Sequence, residues 1–174
     1  MGVGRLGDRR GTQPILGLYR KWENPSEEET DLVVGALVGT GEAADLIQTA
    51  SGDDERLTAV AVRALGELRA REAVPALAAV RQRHSNWELR KLALTALARI
   101  GTDQALDRVA EAIDDPTGHV RREAVRLLGE SGRITDAMSL VERLTFERYQ
   151  EVRDEIVQTL GRVGGREVMA ALVE

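Results

Sequence analysis

Residues 120–144, VRREAVRLLGESGRITDAMSLVERL, contain the pattern that decides the fold. Apolar residues at 120, 124 and 128 recur every four positions, which is typical of one face of an amphipathic helix. Gly132 then marks the end of that helix, because glycine tolerates the left-handed backbone conformation. A second apolar segment begins within a few residues and contains Leu140. The stretch therefore predicts two helices joined by a tight turn.

This pattern occurs four times between residues 53 and 174. Its most regular marker is a leucine near the end of the first helix, and these leucines lie 32, 31 and 32 residues apart. They are Leu65, Leu97, Leu128 and Leu160. A helix pair cannot bury both apolar faces alone, so neighbouring pairs must stack. The sequence predicts an all-α fold, a right-handed α-solenoid in which each repeat has a first helix A and a second helix B.

Two weaker copies precede the four repeats. We predict a terminal half-repeat over 1–22, with helix B only, and a degenerate acidic repeat over 23–52, followed by the four repeats over 53–174. At the other end the sequence stops within a predicted helix B that has no polar cap, and an uncapped solenoid exposes apolar surface. We therefore expect a single solenoid domain that is an excerpt of a longer chain with flanking repeats or domains.

Helix starts are predicted from capping residues. Ser85 and Glu88 have the spacing of a capping box. Asn24 and Asp115 each precede a proline, which is typical of a residue just before a helix.

The composition excludes several classes of function. The chain has no cysteine, which excludes disulfides, thiol nucleophiles and thiolate metal sites. No apolar run approaches the roughly 20 residues of a membrane span, and the N-terminus lacks the apolar core of a signal peptide. We expect a cytoplasmic protein with no membrane partner. No spacing indicates a Ser/His/Asp site or a phosphate loop, so we predict no catalytic residue, no metal, no cofactor and no enzymatic activity.

The repeats resemble HEAT repeats, most of all the short kind named after phycobilin lyases. The shared marks are a Val-Arg pair that opens helix A, a following alanine, an L-G-x-x-G block and an apolar helix B. The resemblance implies an armadillo-type superhelix and a family of scaffolds, enzyme subunits and a few enzymes. The di-iron members use paired His-Glu steps, which His84 and His119 do not supply.

The arginine of the Val-Arg pair occurs at three equivalent positions, Arg90, Arg121 and Arg153. We predict that these residues form a structural arginine ladder. Such arginines usually bond carboxylates or carbonyl groups of a neighbouring loop. The candidate carboxylates are Asp53, Asp114 and Glu147.

The B helices supply the candidate binding surface, because the resemblance implies that they line the concave side. From residue 72 onwards, their outward positions carry seven acidic residues and no base. The residues predicted to contact a protein partner are Glu72, Pro75, Gln82, Asp107, Glu111, Met138, Glu142 and Glu167. Such a surface repels phosphate and attracts a basic or amphipathic segment. The acidic segment 23–55, with ten acids and no lysine or arginine, is a second candidate surface.

The main prediction is therefore a non-enzymatic protein-interaction scaffold, and two alternatives stay open. Some HEAT-like proteins bind DNA or repair alkylated bases with Trp and Arg on such helices, and Trp87 with Arg90 has that spacing. No second aromatic follows in the next repeat, where Gly118-His119-Val120-Arg121 corresponds to Trp87-Glu88-Leu89-Arg90, and nucleic acid needs a basic groove. The second alternative is a lyase-type subunit that handles bilin chromophores, which the repeat type implies.

Overall fold

Helices form all of the regular structure in the residues that the computed structural model describes, 11–132 and 137–163. The α-helices are α1 (Thr12–Arg20), α2 (Glu27–Thr40), α3 (Ala43–Ala50), α4 (Glu55–Glu67), α5 (Val74–Arg83), α6 (Trp87–Ile100), α7 (Asp103–Ala110), α8 (Gly118–Ser131), α9 (Ala137–Phe146) and α10 (Gln150–Val163). Short 3-10 helices at Arg71–Ala73 and Glu111–Asp114 adjoin α5 and α7. The prediction of an all-helical α-solenoid is confirmed.

The helices follow the spacing of the sequence repeat. Helices α4, α6, α8 and α10 begin at residues 55, 87, 118 and 150, which are 32, 31 and 32 residues apart. The leucine that marks each block is at most 1% exposed in every one of these helices. Burial of this leucine stabilises the folded state by roughly 1.5–3 kcal/mol in each A helix. The leucine that marks the repeat in the sequence is therefore also a residue that holds each A helix against its neighbours.

The chain divides into two compact units, residues 1–100 and 101–174. In the first unit, α2, α4 and α6 pack side by side as A helices, and α1, α3 and α5 form the B layer. Two ion pairs link successive A helices, Arg63 with Asp31 and Arg99 with Glu67, each between residues 32 apart. The identical separation shows that these A helices pack in the same register.

In the second unit, α8 packs against α10, while α7 contacts α8 and α9 contacts α10. Close packing of A helices depends on glycine in both units. A Cβ atom added at Gly66 would lie 2.8 Å from Ala96 Cα, and one added at Gly129 would lie 2.8 Å from Thr159 Cγ2. A side chain at Gly66 would force the two helices apart because it meets the Ala96 backbone, whereas one at Gly129 would first displace the Thr159 side chain.

The ends of the A helices match the prediction where they are described. Gly101 and Gly132 have left-handed φ angles of 67° and 69°. Arg69 occupies the equivalent position of the preceding repeat and adopts φ of 50° although it is not glycine. The third predicted glycine, Gly164, lies outside the described residues, as do the predicted last helix B and residues 1–10.

The helix starts correct the predicted caps by one or two residues. Ser26, not Asn24, caps α2 and forms a capping box with Glu29. Asn86, not Ser85, accepts a hydrogen bond from the Glu88 backbone N–H at the start of α6. Thr117 precedes α8, while Asp115 Oδ1 accepts the Thr117 N–H at 2.8 Å. Each loop contains more than one residue able to cap, and the backbone path decides which one does.

Candidate protein-binding surface

The outward positions of the B helices, here called the B-helix face, are considered separately in each unit. In the first unit, α5 buries Val74, Leu77 and Val80 on one side. Its opposite side exposes the predicted contact residues Pro75 and Gln82, and the adjoining 3-10 helix Arg71–Ala73 exposes the third, Glu72. Pro75 lies in the first turn, where a missing backbone N–H costs no helical hydrogen bond. The amphipathic pattern thus leaves all three side chains accessible to a partner.

In the second unit, the B-helix face carries Asp107, Glu111, Met138 and Glu142, all exposed. Met138 is 54% exposed. Arg108 forms an ion pair with Glu111 one turn away, and both side chains are partly exposed. This pair reduces the negative charge that the outward positions alone predict. Glu167, the remaining predicted contact, lies outside the described residues.

A groove of about 570 Å³ lies on the B-helix face of the first unit, between α1 and α3. It is lined by Gln13, Leu16, Gly17, Arg20, Asp45, Gln48, Thr49, Gly52, Asp53, Asp54 and Leu57. Its single cation, Arg20, lies 3.4 Å from Asp54, so the lining carries two further carboxylates. The groove has no signal in the sequence, although the acidic segment 23–55 supplies all three of its acids.

Two members of the arginine ladder occupy the same local position. Arg90 Nη1 donates hydrogen bonds to the carbonyl oxygens of His84 and Ser85, at 2.9 and 3.1 Å. Arg121 Nη1 donates to the carbonyl oxygens of Asp115 and Pro116, at 2.7 and 3.1 Å. In both cases the acceptors stand six and five residues before the arginine. Both arginines are buried, and their guanidinium groups tie the loop to the first turn of helix A.

Arg121 also forms a buried ion pair with Glu147. Its Nε and Nη2 atoms donate to the two carboxylate oxygens at 2.8 and 2.7 Å. Glu147 further accepts hydrogen bonds from Arg143 and from the backbone N–H groups of Arg148 and Tyr149. Burial alone would raise the pKa of the Glu147 carboxyl, but these bonds outweigh it and hold the pKa at about 2.

The third ladder residue is placed differently, because Arg153 is exposed. Of the three candidate carboxylates, Glu147 binds Arg121 of the ladder, whereas Asp114 pairs with Arg143 at 3.3 Å. Asp53 is exposed and lines the groove between α1 and α3.

A second cavity, of about 550 Å³, lies in the second unit between the starts of α8 and α10. It is lined by Pro116, Thr117, Gly118, His119, Tyr149, Gln150, Glu151 and Val152. The Tyr149 ring is 60% exposed and its centroid lies 5.4 Å from the Arg121 guanidinium carbon. Tyr149 is not predicted from the sequence, because a single aromatic residue in a loop has no periodic signal.

The residues that the structure describes contain neither a candidate metal site nor a candidate membrane-spanning helix. Within residues 11–132 and 137–163, no group of three or more His, Asp or Glu residues is arranged to hold a metal ion. In the same part of the chain, no helix combines the length and apolar character needed to cross a membrane.

Solved structures similar to this chain include two engineered proteins whose crystal structures carry the name of the Northeast Structural Genomics Consortium. The first is 20% identical, with a TM-score of 0.57, and the match covers 93% of this chain and 83% of that one. The second is 19% identical, with a TM-score of 0.56, and covers 94% of this chain and 50% of that one. At these identities the likeness shows the fold alone. A comparison with curated proteins found no match.

A comparison with protein families is more specific. The family model described as HEAT repeats matches residues 43–129, half of the chain, and includes α3 to α7 and most of α8. The chain therefore belongs to the HEAT-repeat family.

Proposed function

We propose that this protein is a non-enzymatic scaffold that binds a basic or amphipathic segment of another protein through the B-helix face. HEAT-repeat solenoids are typically protein-interaction scaffolds. The observation that carries the proposal is the exposure of acidic side chains on the B-helix face in both units, including Glu72, Asp107 and Glu142. Exposed carboxylates steer a cationic segment and fix its orientation, while Met138 offers an adaptable apolar contact.

The acidic groove between α1 and α3 supports a cationic rather than an anionic partner. Its three carboxylates exceed its one arginine, so an incoming lysine or arginine side chain gains attraction and phosphate does not. Three acids of the segment 23–55 thus line the B-helix face of the first unit, whereas Glu27–Glu29 and Asp31 belong to the A helix α2.

The finer parts of the proposal rest on sequence. The Val-Arg pairs and L-G-x-x-G blocks favour the short phycobilin-lyase type of HEAT repeat. Handling of a bilin chromophore has no supporting observation among the described residues. The DNA-binding alternative is disfavoured because Arg90, one of its two key residues, is buried and bonded to loop carbonyl oxygens.

The first experiment is a pull-down from native lysate with nuclease present, read by mass spectrometry. The bait is used as wild type, as Glu111→Lys with Glu142→Lys, and as the matched control Glu88→Lys with Glu151→Lys. The control makes the same change of charge at exposed positions on A helices. We expect a partner that survives nuclease and is lost only from the first variant.

The second experiment measures affinity directly with a short synthetic peptide rich in lysine and leucine. Fluorescence anisotropy should show about tenfold weaker binding to the Glu111→Lys, Glu142→Lys variant than to wild type or control. Equal binding to all three proteins would remove the B-helix face of the second unit from the proposal. In the pull-down, bound material that is retained only when nuclease is omitted would indicate a nucleic-acid partner instead of a protein.

A further inference from the structure

The B-helix face of the first unit has a second groove, which lies between α3 and α5 and is here called the α3–α5 groove. It has a volume of about 270 Å³ and is lined by Ala50, Ser51, Gly52, Ala76, Ala79, Val80, Arg83 and His84. The structure describes both helices along their whole length, and every lining residue lies within residues 50–84. The groove is therefore a feature of the packing between two neighbouring B helices.

Small side chains produce this groove. On α5 it is lined by Ala76, Ala79, Val80 and Arg83, whose spacing places them on one face of the helix. The floor includes Val80 and, on α3, Ala50, which are both buried. A groove with only small residues at its centre accepts a small apolar side chain of a partner.

One end of the α3–α5 groove is basic. Arg83 is exposed in the last turn of α5, and none of the residues that the structure describes forms an ion pair with it. The residues that line this groove include no acid. A carboxylate that enters the groove therefore meets a guanidinium group that is accessible for charge-assisted hydrogen bonds.

The acidic groove between α1 and α3 lies on the other side of α3. Gly52 lines both grooves, so the boundary between them carries no side chain at that point. Arg20 pairs with Asp54 in the acidic groove, which leaves the carboxylates of Asp45 and Asp53 for a partner. The two sides of α3 thus present opposite charges to a segment that crosses it.

The spacing of the helices sets the spacing of the charges in such a segment. Packed helices lie about 8–10 Å apart, so the path from the acidic groove across α3 to Arg83 on α5 is roughly 13 Å. Four residues of an extended chain cover about 13 Å, and alternate side chains point to the same side. Three alternate side chains of an extended segment therefore reach the acidic groove, the α3–α5 groove and Arg83.

We propose that the B-helix face of the first unit binds an extended partner segment of mixed charge. A basic residue of this segment pairs with Asp45 and Asp53, a small apolar residue two positions away fills the α3–α5 groove, and an acidic residue two positions further on binds Arg83. This inference rests on the proposed function, and it adds Arg83 as the residue that selects an acidic side chain within an otherwise basic or amphipathic segment.

Two synthetic peptides, GSKSASEGS and GSKSASKGS, test the proposal because they differ only in the residue that would face Arg83. Each is titrated into the isotope-labelled full chain, and its affinity is taken from the chemical shifts of the backbone amides. We expect the glutamate peptide to bind about fivefold more tightly, since attraction to Arg83 replaces repulsion. General attraction to an acidic surface predicts the opposite order, so equal or tighter binding of the two-lysine peptide would overturn the proposal.

The matched protein variants are Arg83→Glu and Lys91→Glu. They make the same change of charge at exposed positions, the first on α5 and the second on the A helix α6. We expect Arg83→Glu to reverse the preference, so that the two-lysine peptide binds about fivefold more tightly, and Lys91→Glu to keep the preference of wild type. Circular dichroism confirms that both variants remain folded. An unchanged preference in Arg83→Glu, or a reversal in both variants, would overturn the role of Arg83.

The positions of the shifted amides separate this inference from the proposed function. We expect the largest shifts at Gly52, Ala79 and Arg83. Shifts confined to the second unit would overturn the inference and leave the proposed function standing. The absence of shifts anywhere in the chain with either peptide would count against both.

Discussion

The loops that lead into α6 and α8 have the same pattern of hydrogen bonds between side chains and backbone but differ in some of the side chains. We call residues 84–90 the Arg90 corner, and residues 115–121 together with Glu147 the Arg121 corner. In the first, His84 Nδ1 accepts the N–H of the residue two positions later, at 3.2 Å. In the second, Asp115 Oδ1 does so at 2.8 Å. An arginine six residues further on closes each loop by bonding two of its carbonyl oxygens.

The comparison also shows how an aromatic ring is supplied. Trp87 begins α6 and is half-buried, whereas the equivalent residue of α8 is Gly118. A Cβ atom at Gly118 would lie 3.4 Å from Tyr149 Cγ and 3.7 Å from Arg121 Nη2. The ring at the Arg121 corner thus comes from the next repeat. The arginine and the loop carbonyls are common to both corners, while the side-chain acceptor and the source of the aromatic residue differ.

The largest effect should follow removal of the carboxylate that distinguishes the Arg121 corner. We expect Glu147→Ala to lower the free energy of unfolding by roughly 3 to 5 kcal/mol, because it leaves the buried Arg121 guanidinium without its charged partner. Urea unfolding followed by circular dichroism measures the change. The control Glu151→Ala, an exposed residue 3.7 Å from Arg122, should cost less than about 0.5 kcal/mol. Similar losses in the two variants would refute a special role for Glu147.

Acid should weaken the same corner. The pKa of Glu147 is about 2 in the folded protein and about 4.3 in an unfolded chain, so between these values the unfolded state binds more protons. The stabilisation is complete above about pH 5 and is lost as the pH falls toward 2, by about 3 kcal/mol. Urea unfolding from pH 6 to pH 2 should therefore show a steeper decline for wild type than for Glu147→Gln. Parallel curves would contradict the assignment.

Transfer of the aromatic residue between corners should have a moderate effect. Gly118→Trp places an indole where the Tyr149 ring now lies, and overpacking of this kind costs about 1 to 3 kcal/mol. The double variant with Tyr149→Ala should recover part of that loss, because the tryptophan then has space. A double-mutant cycle from urea unfolding measures the coupling. Additive effects would show that the two rings do not compete for one position.

The sequence predicted the helix pairs because a buried leucine every 32 or 31 residues is a strong periodic signal. It located the caps less well, since Asn24 and Ser26, or Ser85 and Asn86, compete within one loop. The backbone conformation that decides between them depends on tertiary contacts such as that of Asn86 with Glu55.

The arginine ladder shows a further limit of sequence reasoning. Arg90, Arg121 and Arg153 are equivalent in sequence, yet Arg153 alone is exposed among the three. Exposure depends on what packs outside each helix, and the local pattern does not encode it. The groove between α1 and α3 was missed for the same reason, because its lining comes from three separate segments of the chain.

The smallest expected effect tests whether the side chain that accepts the loop N–H, His84 in one corner and Asp115 in the other, can be exchanged. His84→Asp gives the Arg90 corner the acceptor that Asp115 provides in the other corner, so the N–H of Asn86 keeps a partner. We expect the free energy of unfolding to change by less than about 0.5 kcal/mol, whereas His84→Ala should cost about 1 kcal/mol through the lost hydrogen bond. Both variants retain the carbonyl oxygen that Arg90 binds, so urea unfolding of the pair isolates the side-chain acceptor. If aspartate costs as much as alanine, the imidazole stabilises the corner by more than accepting one hydrogen bond, and the two corners are less alike than their backbones indicate.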